Sequence, residues 1–183
     1  MLKRIDGKLH TRVDIALKHN AQDGLAHVYI DKDMDNGTLV TLGALMDGEL
    51  MAKKAEAVTG TSKRDELVLL KAPEIVADES SKYNAALKNF YNTKGEIVRG
   101  YYLKDLDLIH ISEEGIDASG VSALAVGQYV VPDASGKFKA SDSNTNAIGK
   151  IIAKNTEGIK TYYDATAKNF IGNSYDMYYI ELI

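Results

Sequence analysis

Three aspartates at alternate positions, Asp31, Asp33 and Asp35, lead into Asn36-Gly37 and give this chain its densest set of oxygen donors. A calcium loop of the EF-hand type needs glycine at its sixth position and glutamate at its twelfth. Those positions hold Asn36 and Leu42, and strand-like segments flank the stretch, so it reads as a solvated turn between strands. His10, His19, His27 and His110 show no H-x-x-x-H spacing and read as surface or strand histidines, not ligands. Glu113 and Glu114 are adjacent, so in a strand or turn they point apart and cannot face each other as an acid/base pair. Val58-Thr-Gly-Thr-Ser-Lys63 has the composition of a phosphate loop but lacks its second glycine. The G-x-S-x-G and G-x-G-x-x-G patterns are both missing. The expectation is a protein that is not an enzyme and holds no cofactor and no metal.

Composition narrows the class further. The chain has no cysteine, which removes disulfides, thiolate metal sites and thiol nucleophiles together. Its net charge of −4 argues against a dedicated nucleic-acid binder, because phosphate neutralisation needs clustered lysine and arginine. Lys53-Lys54 and Lys63-Arg64 are each followed closely by acid, as solvated surface is. No window approaches 18 consecutive apolar residues, so no membrane span is expected. Met1 to Lys8 has basic residues with no apolar run behind them, which does not read as a secretory signal, and Asn36-Gly37-Thr38 is then an idle glycosylation sequon. At 183 residues the chain is long enough to bury a real core.

The elements that position these residues read as mainly β. Leu9 to Leu17 alternates apolar and polar residues, as a strand does, and His27 to Ile30 is a second short strand. Thr38 to Leu45 is a strand, Asp47-Gly48 a turn, and Glu49 to Ala52 the return strand. Lys53 to Arg64 reads as a loop and Glu66 to Lys71 as a buried strand. One short helix is expected over 78–91, where Tyr83, Leu87, Phe90 and Tyr91 share a face and Gly95 lies beyond the end. Glu96 to Leu103 and Asp107 to Ile111 are strands. Three more follow in Val121 to Ile152: Ala125 to Val131, Lys137 to Ala140 and Ala147 to Ile152, as a small antiparallel module. Lys160 to Tyr163 and Tyr175 to Ile183 close the fold. The chain divides into an N-terminal arm with first strands (1–36), a β-rich lobe with the helix (37–115) and a C-terminal barrel-like module (116–183). Eleven tyrosines stand against three phenylalanines, and the doublets Tyr101-Tyr102, Tyr162-Tyr163 and Tyr178-Tyr179 place one ring in the core and one outside. The outer ring of at least one doublet suits a protein interface.

The run Val126-Gly-Gln-Tyr-Val-Val-Pro-Asp-Ala-Ser-Gly-Lys-Phe-Lys-Ala, followed by Ala147-Ile-Gly-Lys-Ile-Ile, resembles the small β-barrel modules of tailed-phage head decoration proteins. Asp35-Asn-Gly-Thr-Leu-Val-Thr-Leu-Gly and Gly95-Glu-Ile-Val-Arg-Gly-Tyr-Tyr-Leu look like phage structural proteins of the same sort. The resemblance implies small antiparallel barrel or sandwich modules and a protein that sits on the virion exterior after synthesis in the host cytoplasm. Its implied partners are the major capsid protein and itself as a homo-oligomer, a trimer being favoured, with no nucleic acid and no membrane. Lys3, Arg4, Arg12 and Tyr29 are then the candidate capsid contacts, the basic N-terminal residues acting as an arm. Gly127, Gly136 and Gly149 are corners of the barrel and not ligand contacts. The alternative is a tail, baseplate or fibre-base component engaged in host attachment.

Overall fold

The computed structural model describes residues 10–17, 24–73, 90–164 and 169–183. It is mainly β, built as a closed five-stranded barrel and a seven-stranded sheet that share one core. The strands are β1 (Val13–Leu17), β2 (Leu25–Tyr29), β3 (Leu39–Leu45), β4 (Ala52–Glu56), β5 (Val68–Leu70), β6 (Ile97–Tyr102), β7 (Leu108–Ser112), β8 (Ile116–Asp117), β9 (Tyr129–Pro132), β10 (Phe138–Ser141), β11 (Gly149–Asp164) and β12 (Asn169–Leu182). Among the described residues, helix is confined to single 3-10 turns at Arg64–Glu66 and Glu113–Gly115. Of the helix expected at 78–91, residues 78–89 lie outside the described residues. Phe90 and Tyr91, which are described, are buried and not helical.

The barrel closes in the order β2-β4-β3-β5-β6, with β2 and β4 parallel and the other neighbours antiparallel. Its interior is filled by Ala26, Val28, Ile30, Val40, Val68, Leu70 and Val98. Five strands leave room for little else. At Gly100 an added Cβ would lie 2.4 Å from Val68 Cγ1 and 2.9 Å from Val28 Cγ2, so only glycine fits that interior position. β5 and the first two residues of β3 are buried on both faces. Val40, Val68 and Leu70 point into the barrel, whereas Leu39 and Leu69 point out of it into the second core. This two-sided burial is why Val68-Leu69-Leu70 is continuously apolar instead of alternating.

The second sheet runs β1-β7-β12-β11-β9-β10-β8. Its inner face supplies Val13, Ile109, Ile111, Tyr178, Ile180, Ile151, Val130, Phe138 and Ala140 to the core that Leu39 and Leu69 enter. Sheet membership therefore follows other boundaries than the three sequence segments. Residues 25–102 make the barrel, while β1 leaves its sequence neighbours to pair with β7, Val13 opposite Ile111. A main-chain bond joins the two units, Leu39 N–H to Gly136 O at 2.7 Å.

Several local expectations are corrected. Lys53 to Glu56 is not loop but most of β4, a segment without a β-branched residue that the closed barrel recruits by pairing it on both edges. The return strand thus begins at Ala52, three residues later than Glu49. Ala125 to Gln128 is a turn: Gly127 has φ +97°, and the Gln128 side-chain oxygen accepts the Ala125 N–H at 2.9 Å. The strand starts only at Tyr129. The aspartate stretch is a turn, solvated at Asp31, Lys32 and Asp33 as expected but not beyond them. Met34, Asn36 and Gly37 are buried, and Asn36 exchanges hydrogen bonds with Ala72 in both directions while accepting one from Asn92 Nδ2 at 3.0 Å.

Candidate docking surface

β2 and β6 pair with Leu25 opposite Tyr101, His27 opposite Arg99 and Tyr29 opposite Ile97. Alternation turns Ala26, Val28, Val98 and Gly100 into the barrel, so these three pairs form one outward stripe. Leu25 is 57% exposed and Ile97 44%, with Tyr29 and Tyr101 half-buried beside them. Exposed His27 and Arg99 separate the two apolar-aromatic pairs. Lone apolar residues on a surface are ordinary, but paired ones flanking a cation make a patch suited to a protein partner. A second exposed group, Leu45, Leu50 and Met51, tips the β3–β4 connection, with Leu50 at 91% exposure.

The sequence-nominated contacts are scattered. Lys3 and Arg4 lie outside the described residues. Tyr29 belongs to the stripe. Arg12 does not: it sits at the start of β1, where its guanidinium is 3.6 Å from Glu157 and 3.9 Å from Asp14. Leu25, Ile97, Arg99 and Tyr101 were not nominated. The alternation Glu96 to Leu103 contains the signal, because a strand with valine and glycine inward must turn isoleucine, arginine and tyrosine out. Of the glycines, Gly136 has φ +82° in the turn after β9, and Gly127 has φ +97°. Gly149 is no corner: it opens β11 inside the sheet, where an added Cβ would stand 2.9 Å from Glu181 O of the neighbouring strand.

Two polar groups have elements of a chemical site. His10 Nδ1 lies 2.6 Å from Asp35 Oδ1 and its ring stacks on Tyr91 at 4.8 Å, while Thr11 N–H donates to Asp35 Oδ2 at 3.2 Å. This holds the N-terminal segment against the aspartate turn. His110 on β7 stacks on Tyr179 at 4.0 Å with Glu157 Oε1 at 3.5 Å from Nε2. That separation is an ion-pair distance without hydrogen-bond geometry, and the buried Nε2 has no hydrogen-bond partner. Burial lowers the His110 pKa below 6.5, outweighing Glu157 and Asp14, which raise it. Of the tyrosine doublets, Tyr178 is buried and Tyr179 half-buried, whereas Tyr101 and Tyr102 are both half-buried. The side chains of Tyr162 and Tyr163 are outside the described ones.

A cleft of about 460 Å³ lies between the aspartate turn, β3, β4 and the Ala134–Lys137 turn. Asp31, Asp33, Asp35 and Glu56 line it with Lys32 and Lys137, and no histidine reaches it. Among the described residues no three histidine, aspartate or glutamate side chains gather as a metal site. Among them, too, no helix is long and apolar enough to cross a membrane. No described protein family matches the chain, and no curated protein is similar to it.

Proposed function

We propose that this protein is a structural virion component that binds the outer surface of a phage capsid and stabilises contacts between major capsid subunits. The resemblance of Val126 to Ile152 to head decoration modules motivates the reading, and the β2–β6 stripe is the observation that carries it. Leu25 and Ile97 supply exposed apolar surface, Tyr29 and Tyr101 add area with a polar tip, and Arg99 between them suits a carboxylate on the partner. A capsid presents the same partner surface many times. Modest contacts from a self-associating protein then hold neighbouring subunits together by multivalency.

The test is co-sedimentation of the purified protein with isolated heads that lack it. The wild-type chain is expected to decorate the lattice, with the double variant Leu25→Asp/Ile97→Asp binding at least about tenfold more weakly. Both residues are exposed, so circular dichroism should report an unchanged fold. Failure of the wild-type chain to decorate any head lattice removes the reading.

A further inference from the structure

The β11–β12 hairpin outruns the sheet that carries it. Its two strands stay paired from Gly149 opposite Leu182 to Asp164 opposite Asn169, through register shifts between Ile151 and Ala153 and between Glu157 and Lys160. β9 pairs with β11 only at Gly149 and Lys150, and the preceding turn reaches Ile151. β7 pairs with β12 only from Met177 to Glu181. Beyond those points, neither outer edge of the ribbon has a strand beside it among the described residues. At ~3.3 Å per residue, residues 152–164 extend for about 40 Å.

A two-stranded ribbon is marginal alone, and an unpaired edge is a template for a further strand. Edges are commonly blunted by charged side chains, lysine above all, by proline or by a bulge. Here residues 160–164 contain no proline, both register shifts lie before them, and the two charges they carry, Lys160 and Asp164, are opposite in sign. The order of residue types in this stretch selects the occupant. Lys160-Thr161-Tyr162-Tyr163-Asp164, laid antiparallel on itself, sets Lys160 opposite Asp164 twice, Thr161 opposite Tyr163, and Tyr162 opposite its own copy. Opposite charges and aromatic residues are favourable cross-strand neighbours. Within one chain the register sets positions 160 and 164 opposite neutral Asn173 and Asn169.

We infer that residues 160–164 of β11 pair antiparallel with the same edge of a second copy. The product is a four-stranded sheet across a twofold axis, an isologous contact that closes on itself. It replaces the threefold association that the decoration-protein resemblance implies with an even-numbered one. The inference deepens the self-association in the capsid reading but does not need the capsid. A dimer that fails to decorate heads keeps it and removes that reading, and a monomer that decorates them does the reverse.

Sedimentation equilibrium of the full chain tests it. The wild type is expected to dimerise. Lys160→Asp and Asp164→Lys should each weaken the dimer about tenfold or more, since one reversal spoils both symmetric pairs. Combining them restores opposite charges and should restore the wild-type constant. Independently, Tyr162→Cys introduces the only cysteine, on the twofold, and should cross-link the dimer under mild oxidation. A wild-type monomer or trimer, charge reversals that leave the dimer unmoved or are not rescued, or failure to cross-link would each overturn the inference.

Discussion

Burial holds the His110 pKa below the ordinary imidazole value, because its surroundings leave an imidazolium poorly solvated. Its ring faces Asp14 across β1, Tyr179 across β12 and Glu157 from β11, with Arg12 nearby, and burial outweighs the carboxylates. The folded-state pKa lies below 6.5, so near neutral pH both states carry a neutral ring and no stability is lost. As pH falls through 6.5, the unfolded chain takes up a proton that the folded one refuses, and stability drops until the folded pKa is reached. The urea midpoint should therefore fall between about pH 7 and about pH 5, and His110→Gln should shrink that fall while lowering the neutral-pH midpoint. An unchanged fall in the variant would assign the acid sensitivity elsewhere. At this scale the sequence was half legible. The alternation around Ile109 and Ile111 puts His110 in a strand, and its residue type suggests no ligand set. Its partners come from strands at both ends of the chain, and no local pattern announces them.

Turns were the most legible elements. Of the expected breaker Pro132 to Gly136, Pro132 still belongs to β9, and the turn follows because Asp133 accepts the Ser135 N–H at 2.9 Å, Gly136 donates to Asp133 O at 2.9 Å, and φ +82° at Gly136 needs glycine. The Ser135 hydroxyl and N–H together hold the Asp133 carboxyl below its usual pKa of 3.8. Gly136→Ala combines a left-handed backbone with a Cβ 2.9 Å from Leu39 O, so it should cost more than about 2 kcal/mol. Gly127→Ala meets open space and should cost only the backbone term, about 1 kcal/mol. Urea denaturation of the two variants checks the ordering; equal losses would mean that contact with Leu39 adds nothing. Less legible were β4, a lysine-rich strand made by its neighbours, and β11, whose sixteen residues continue through a polar stretch that resembles loop. The docking stripe lies between these cases. β6 was read to within a residue, but β2 was read only from His27, which misses Leu25, and their pairing across some seventy residues was not contained in either one.

For the whole molecule, barrel and sheet unfold as one unit if the core they share is what stabilises both. Leu69 is fully buried on the outer face of the barrel, in the cluster with Ile109, Ile111 and Phe138. Leu69→Ala is expected to cost about 2–5 kcal/mol and to lower one common transition, followed by circular dichroism and tyrosine fluorescence. Two separated transitions in the variant would show that each unit stands alone. The mainly β class was legible from composition and alternation, whereas the partition into sheets was not, because β1 joins residues that lie ninety or more positions onward. That crossing has a consequence during synthesis. The barrel's last strand ends at Tyr102, before β7 begins at Leu108, so every barrel strand has been synthesised while β1 still has no partner. At roughly 5–20 residues per second, β1 waits roughly five to twenty seconds for β7 to emerge. Through that interval Val13 and Ile15 belong to an open strand, and a chaperone has its opportunity at the N-terminal end of the nascent chain.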